Sequence, residues 1–477
     1  MENPIHSRVL PFTDVVLTTV QPLEKTSHVE TIDPTVLDTF FSDCYVPVLF
    51  CYRLADNSDS AYSQIVTRIK HSLQKVLIPF FSFAGRWVPS RICKRKLQCN
   101  DEGVPFIEAY VDMELDSIVQ ISRTTTSFQP VPELQGYGVL GMDITQSKQE
   151  MQEDGLPPIF VQITRFKCGG VVLAVSFNHM STDARGFFNF MKAWSDLSRT
   201  NDTKVAVDHN RARADIPQIG ALMSSPMSSK RVGLTDTAST EQGSRLSVEP
   251  AKLGLWAMRS FEIASSTIKT LKEEAKQSQQ GCSGYVSTEN CIVAHLWRSL
   301  GFLPSSLLGG KDLAVTRVVE GRSRFYDPPL TDLCGNVFTV LLPPKIPNDE
   351  VQTMPLASIA SELNDALNGV RREEWLSLEM CGKLLQTFGS NQLAVMWTTS
   401  WLKFPMYEMD FGFGKPYFAF AANSFYSGPW LGKARVFPAA PNSSSDSVAA
   451  LHVWSTPEVL HALESNPDFL PFFLAEP

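Results

Sequence analysis

The chain has 477 residues, of which 43% are hydrophobic and 19% are charged. This length is too great for one ordinary hydrophobic core and predicts two domains or one large two-lobed fold of globular composition. Because 42 basic residues stand against 50 acidic ones, the net charge is −8. This balance argues against a nucleic acid or an anionic membrane surface as the main partner.

Nine cysteines are scattered along the chain and none forms a CxxC pair. The odd number and the spacing argue against a disulfide scaffold and a structural zinc site, so we expect free thiols in a reducing compartment. The opening MENPIHSRVLPFTDVVLTTV is not typical of a signal peptide, and no run of about 18 apolar residues predicts a membrane span. We therefore expect a cytoplasmic protein, in which the sequons at Asn201 and Asn442 carry no meaning.

Strand and helix patterns alternate in the first half of the chain. The apolar, β-branched segment VPVLFCYRL (46–54) predicts a buried strand. Apolar side chains at helical spacing then predict a helix from about Ser60 to Leu77, which Pro79 ends.

Two short strands flank Gly169-Gly170, which is typical of a hairpin. The second of them, VVLAVSF (171–177), is apolar on both faces and predicts a central strand. HMSTD follows it directly, and a helix from about Ala184 to Ser198 comes next. This order predicts a histidine at a strand end, where side chains face a crevice rather than the core.

The composition between about 200 and 250 shifts to Ser, Thr, Gln and Asp, which indicates a long, partly disordered crossover. The second half then opens with a predicted strand over 255–263. A helix over about 266–279 follows, and another begins near Ser287.

Two segments carry candidate catalytic side chains. His179 and Asp183 form an HxxxD pattern, and an imidazole can accept a proton at neutral pH. With two fixed positions in five, the pattern is common by chance, so the residues alone leave a structural histidine open. In DFGFGKP (410–416), Gly412 and Gly414 flank an aromatic residue and permit a tight backbone path beside Asp410, although a purely structural turn would need the same glycines.

The segment GRSR (321–324) contains two arginines, and arginine binds carboxylates with a fork of donors. Arg322 and Arg324 could therefore anchor an aspartate, or could be solvated.

The sequence gives no support for several other classes of enzyme. The GxGxxG match at 136–141 follows PVPELQ rather than a strand and is interpreted as chance. GxxxxGK[ST], HExxH and GxSxG are absent, so a P-loop phosphotransferase, a zincin and a serine hydrolase lose their usual support.

The motifs HMSTD and DFGFGKP, in this order, resemble those of the BAHD acyltransferase family of plants and fungi. The resemblance covers nearly the whole chain. Its further blocks are LIPFFSFAGRW, FKCGGVVLAVSFNHMSTDARGFFNFMKAWSD, VEGRSR with DPPL and CGNVF, and TSWLKFPMYEMDFGFGKP. Each block is modest alone, but together they are highly specific.

The resemblance implies an α/β (α+β) fold related to chloramphenicol acetyltransferase, with two mixed-sheet lobes and a tunnel between them. It predicts an N-terminal lobe over 1–205 that carries HxxxD, a crossover linker over 206–250, and a C-terminal lobe over 251–477 that carries DFGFG.

The resemblance also implies the chemistry. Acyl-CoA is expected as co-substrate, with no permanently bound cofactor and no metal, in a monomer. His179 is expected to act as general base on a small-molecule hydroxyl, with a tetrahedral intermediate and no acyl-enzyme. No residues are assigned to CoA binding.

Supporting roles are implied for the remaining motif residues. Asp183 is expected to point away from the tunnel and to pair with Arg322, or failing that Arg324. Asp410 is expected to support the fold near the CoA entrance, although it has also been treated as catalytic in the family. Gly412 and Gly414 are expected to give structural support.

Three positions depart from the family pattern. Phe413 replaces the usual tryptophan of DFGWG and has no indole N–H to donate. Lys403 stands where relatives that bind shikimate-type carboxylates have arginine, which makes shikimate a doubtful acceptor. Glu320 replaces a frequent aspartate, a minor change.

The leading hypothesis is O-acylation of a natural-product alcohol from a short or aromatic acyl-CoA, and N-acylation of an amine is its nearest variant. A condensation-like enzyme acting on carrier-bound acyl groups is a second class, but it requires HHxxxDG, and Asn178 and Ala184 occupy the differing positions. A silent, CoA-binding paralogue is a third. Four bulky residues are candidates for the acceptor side, although core packing explains each as well: Phe187, Trp401, Phe404 and Phe425.

Overall fold

The computed structural model describes twelve stretches of the chain. They are 12–26, 30–40, 44–91, 95–117, 155–202, 205–216, 257–278, 286–342, 346–372, 393–421, 430–441 and 443–473. The GxGxxG segment at 136–141, the crossover beyond residue 216, Phe425 and Asn442 lie outside the described residues.

Strands and helices alternate along the chain in a mixed order. The strands are β1 (Phe12–Val20), β2 (Thr31–Ile32), β3 (Tyr45–Tyr52), β4 (Arg86–Pro89), β5 (Arg95–Gln98), β6 (Val104–Val111), β7 (Ile159–Phe166), β8 (Val171–Asn178), β9 (Ala257–Ala264), β10 (Asp312–Glu320), β11 (Phe338–Leu341), β12 (Leu393–Ser400), β13 (Phe418–Ala421), β14 (Trp430–Pro438) and β15 (Ser447–Ser455). The helices are α1 (Val36–Phe40), α2 (Asp59–Val76), α3 (Ala184–Thr200), α4 (Ser265–Ser278), α5 (Thr288–Gly301), α6 (Asn348–Thr353), α7 (Leu356–Asn368) and α8 (Pro457–Glu464).

The first large sheet has six strands in the order β1-β6-β7-β8-β3-β13. Only β6 and β7 run parallel; the other neighbours are antiparallel. Strands β7 and β8 form the predicted hairpin, and Gly169 takes the positive φ of 82° that its turn requires. Strand β8 lies inside the sheet with every residue buried, which confirms the predicted central strand.

The second large sheet has the order β11-β10-β12-β14-β15-β9. Strands β10, β12 and β14 run parallel and the outer pairs are antiparallel. Helices α4, α5, α7 and α8 pack their apolar side chains against one face of this sheet. Side chains of the other face pack against the first half of the chain: Phe437 and Trp454 belong to the core beneath the first sheet, and Trp397 clusters with Cys44.

The second half of the chain contributes a strand and core residues to the first lobe. Strand β13 comes from the second half but pairs with β3 at the edge of the first sheet. Buried residues from the second half, among them Met409, Phe411 and Phe437, belong to the hydrophobic core beneath the first sheet. The division at 205 and 251 stays a prediction, whereas the fold class of two mixed sheets with helices is confirmed.

No described helix combines the length and the apolar character needed to cross a bilayer.

Candidate active site

His179 follows the last residue of β8, and the turn that contains it is held by backbone hydrogen bonds. The His179 N–H donates to the Cys44 carbonyl at 2.7 Å, and the Ser181 N–H donates to the Asn178 carbonyl at 2.8 Å. The Asn178 side chain accepts from the Met180 N–H at 2.9 Å. These bonds fix the imidazole where the strand ends.

The imidazole borders a cavity between the first sheet and the inner face of the second. The described residues that line this cavity are Val46, Phe177, His179, Asp183, Ala184, Arg185, Val318, Glu320, Phe338, Trp397, Thr399, Ser400, Trp401, Phe404, Lys433 and Arg435. Both halves of the chain contribute, so the site exists only when the two sheets are assembled. The lining joins aromatic rings to a few polar and charged groups, which is typical of small-molecule sites.

Burial controls the protonation of His179. Desolvation lowers the pKa of the imidazole to about 4, since the half-buried ring loses much of the water that would stabilise its charge. The ring is therefore neutral at physiological pH, which is the form that accepts a proton.

Asn336 sets the tautomer of that neutral ring. Its Nδ2 donates to Asp38 Oδ1 at 2.8 Å and to the His179 carbonyl at 2.7 Å, so both neighbours of Nδ2 are acceptors. The amide oxygen must then face His179 Nδ1, which lies 3.2 Å away. Because an amide oxygen only accepts, Nδ1 carries the hydrogen and Nε2 carries the basic lone pair.

A buried ion pair between Asp38 and Arg211 supports Asn336. Asp38 is fully buried, and Arg211 Nη1 donates to its Oδ2 at 2.6 Å. Arg211 Nη2 also donates to the Ser181 carbonyl at 3.0 Å, inside the HMSTD turn. Asp38, Arg211 and Asn336 escaped the sequence reasoning, and only the block CGNVF around Asn336 could have indicated one of them.

Asp183 points toward Arg322. Its Oδ2 accepts from Arg322 Nη1 at 2.7 Å and from the Val337 N–H at 2.8 Å, and its Oδ1 accepts from the Gly186 N–H at 3.0 Å. Burial would raise the pKa of this carboxyl, but the guanidinium charge and the hydrogen bonds outweigh burial and lower it. Of the two candidate partners it is Arg322 that pairs with Asp183, while Arg324 donates to the Leu367 carbonyl at 2.8 Å.

The DFGFG loop is organised by its own aspartate. Asp410 Oδ1 accepts from the N–H groups of Gly412 at 2.7 Å and Gly414 at 3.1 Å. The two glycines have φ values of 93° and 106°, which L side chains rarely adopt. The ring of Phe413 packs edge-on against Tyr52 at 4.9 Å between centroids. None of these loop residues is among the described residues that line the cavity around His179.

Strand β14 brings two basic residues to the cavity. Lys433 and Arg435 are 3% and 6% exposed and project from the inner face of the second sheet. Desolvation lowers the pKa of Lys433 well below its ordinary value. The sequence reasoning missed both, although two basic residues at alternate positions of the apolar segment WLGKARVFP (430–438) were a readable pattern.

The residues predicted for the acceptor side differ in whether they line the cavity. Trp401 and Phe404 line the cavity. Phe187 is fully buried, and its ring stacks on Phe177 at 4.6 Å between centroids. It is therefore a core residue. Lys403 is exposed and is not among the described lining residues.

Within the described stretches, no three His, Cys, Asp or Glu side chains are grouped as metal ligands.

Comparison with known proteins finds relatives that match nearly the whole chain. A family model described as "Transferase family" matches residues 13–469. Shikimate O-hydroxycinnamoyltransferase of Nicotiana tabacum is 26% identical over 91% of this chain and 94% of its own length. Agmatine hydroxycinnamoyltransferase 1 of Oryza sativa is 26% identical over 82% of this chain and 84% of its own.

Solved structures share the fold. Vinorine synthase superposes with a TM-score of 0.70 at 22% identity, over 97% of this chain and 98% of its own. F. graminearum TRI101, solved with coenzyme A and T-2 mycotoxin, gives a TM-score of 0.66 at 14% identity, over 92% of this chain and 98% of its own.

The chain belongs to the Transferase family, the BAHD acyltransferases that its motifs resemble. It is an acyltransferase, and acyl-CoA is its co-substrate.

Proposed function

We propose that the enzyme transfers an acyl group from CoA to a hydroxyl of a small natural-product acceptor, with His179 as general base. The observation that carries this proposal is the hydrogen bond from His179 Nδ1 to Asn336 in a cavity built from both sheets. A neutral imidazole with its lone pair on Nε2 can accept the proton of the acceptor's hydroxyl group.

The reaction then runs in two steps. Nε2 takes the acceptor's hydroxyl proton while the oxygen attacks the thioester carbonyl carbon, which gives a tetrahedral intermediate. The intermediate collapses, the C–S bond breaks, and the thiolate of CoA takes the proton back from the imidazolium. General-base assistance of this kind contributes roughly 10²–10⁴ in rate.

Asp183 and Asp410 act as positioning residues in this proposal. The hydrogen bonds of the Asp183 carboxylate lead to Arg322 and to backbone N–H groups, which supports a role in holding the HMSTD turn and the first turn of α3. The bonds of Asp410 to Gly412 and Gly414 support a role in shaping its own loop. Neither carboxylate is needed as a second proton acceptor.

The relatives support the substrate classes. Their names specify hydroxycinnamoyl donors, and one names the hydroxyl compound shikimate as acceptor. Another names agmatine, an amine, so amine acylation remains the variant to be tested. We also propose a monomer in the cytoplasm. The described cysteines, which all carry free thiols, support the reducing compartment.

Thiol release from a panel of acyl-CoAs with pooled alcohols or pooled amines tests this function. We expect acceptor-dependent CoA release with alcohols, lost in His179→Ala while the melting temperature stays near that of the wild type. Wild-type turnover in His179→Ala would overturn the general-base role. Release with amines alone would replace O-acylation by N-acylation.

A further inference from the structure

The first turn of α1 holds the carboxylate of Asp38 in one orientation. Thr35 precedes this helix, and its N–H and its hydroxyl donate to Asp38 Oδ2 at 2.7 Å and 2.8 Å. In return the Asp38 N–H donates to the Thr35 hydroxyl at 3.3 Å, so the two residues cap the helix reciprocally. Arg211 Nη1 adds another donor to Oδ2, at 2.6 Å. This set of bonds leaves Oδ1 facing Asn336.

The two oxygens of Asp38 therefore have different tasks. Oδ2 is held by Thr35 and Arg211, whereas Oδ1 accepts from Asn336 Nδ2 at 2.8 Å. A carboxylate only accepts, so the Asn336 amide presents its NH2 group to Asp38 and its oxygen to His179. The His179 carbonyl accepts from the same Nδ2 at 2.7 Å and favours the same orientation, but it is a neutral acceptor and therefore the weaker one.

We propose that Asp38 is a positioning residue for acyl transfer. Its carboxylate orients the Asn336 amide, which in turn keeps the hydrogen of the His179 ring on Nδ1. Arg211 supplies the countercharge, because a carboxylate that is fully buried without one would be costly. The inference rests on the proposed function only in that it makes Nε2 the base, since the placement of the hydrogen follows from the contacts of Asp38.

Asp38→Asn tests this role while it keeps the shape of the side chain. Thr35 and Arg211 would hold the amide oxygen at the position of Oδ2, so the NH2 group would face the NH2 group of Asn336. Two donors cannot bond to each other, so the Asn336 amide turns over in part of the molecules and then donates to His179 Nδ1. We expect the ¹⁵N shifts of the imidazole to show hydrogen partly on Nε2, and kcat to fall at least in proportion to that fraction.

Two further variants separate this role from a purely structural one. Arg211→Lys keeps the countercharge but loses the donor to the Ser181 carbonyl, which lies 3.0 Å from Arg211 Nη2. Its melting temperature should fall while the hydrogen stays on Nδ1. The double variant Asp38→Asn with Arg211→Gln removes both charges of the buried pair and provides a folded protein if the single variant does not fold. The Thr35 N–H still holds the amide oxygen there, so we expect the same shift of hydrogen to Nε2.

Hydrogen confined to Nδ1 in the folded Asp38→Asn protein or in the double variant overturns the proposal, and so does a shift to Nε2 in Arg211→Lys. The NMR measurement needs no turnover, so it distinguishes this inference from the proposed function. A shift to Nε2 that leaves kcat at the wild-type value would support the role of Asp38 in placing the hydrogen and would overturn Nε2 as the general base.

Discussion

At the scale of single residues, the tautomer of His179 depends on Asn336, whose amide oxygen lies 3.2 Å from Nδ1 of the imidazole. His179 was readable because a buried strand leads straight into the HxxxD motif. Asn336, by contrast, lies 157 positions further along, and its contact with the imidazole depends on how two distant segments meet. Such a contact has no local periodicity, so only the folded chain reveals it.

Removing the Asn336 side chain tests the tautomer directly. Asn336→Ala should lower kcat by roughly 10²-fold, at the lower end of what general-base catalysis contributes, with KM for acyl-CoA little changed. The ¹⁵N NMR shifts of the imidazole should show hydrogen on Nδ1 in the wild type and a mixture of tautomers in the variant. A variant with wild-type kcat, or with hydrogen still confined to Nδ1, would contradict the role of Asn336.

The burial of His179 predicts the shape of the pH profile. Because burial lowers the pKa of the imidazole to about 4, its basic form is already complete well below neutrality. We expect kcat/KM to rise with pH through about 4 and to be flat between about pH 5.5 and 7.5, since kcat/KM reports the free enzyme. The measurement is initial CoA release in overlapping buffers; an acidic limb near pH 6.5 would mean that the imidazole is solvated.

At the scale of secondary-structure elements, apolar runs and helical spacing predicted several of the observed strands and helices. The predicted strand over 171–177 is β8, and Asp183 caps α3 by accepting from the Gly186 N–H. The same aspartate ties α3 to the segment that precedes β11, through Arg322 and Val337. Secondary-structure propensity could not predict the contacts of Asp183 with Arg322 and Val337, since they join segments that are far apart in the chain.

Asp183→Asn should therefore destabilise the fold as well as reduce activity. The substitution leaves the buried Arg322 without its nearest charge and turns one acceptor into a donor, so we expect a loss of about 2–4 kcal/mol in the free energy of unfolding. Asp196→Asn on the same helix is the control, because its partially exposed ion pairs with Lys192 and Arg199 should contribute less than about 1 kcal/mol. Urea denaturation measures both. A variant that is inactive but fully stable would argue for a direct chemical role of Asp183.

At the scale of the whole molecule, the two-lobed fold was predictable from the sequence, but the pairing of β13 with the first sheet was not. Length and motif order indicated two mixed-sheet halves. Nothing in the four-residue strand β13 predicts that it pairs with β3, more than 360 positions earlier. A short apolar run fits any sheet edge, so its partner is decided by how the segment from Trp401 to Phe418 packs on the first sheet.

Because the second half of the chain supplies β13 and several core residues, we expect that the N-terminal lobe does not fold alone. A fragment of residues 1–205 lacks β13, which exposes the edge of β3, and lacks Trp401, Met409 and Phe411 from its core. Each such buried side chain contributes about 1.5–3 kcal/mol, so their combined loss approaches the total stability of a typical domain. We expect the fragment to aggregate through the open strand edge, or to unfold without a cooperative transition.

Adding residues 401–421 to this fragment through a flexible glycine-serine linker is the matched test. It should restore a monomer in gel filtration and a sigmoidal urea transition by circular dichroism, because it returns the missing strand and most of the core residues that the second half contributes, although not Phe437 and Trp454. If the fragment 1–205 already unfolds cooperatively as a monomer, the first lobe folds without the second half of the chain and does not need β13. If 401–421 restores folding, the lobe that contains His179 depends on a strand from the other half of the chain.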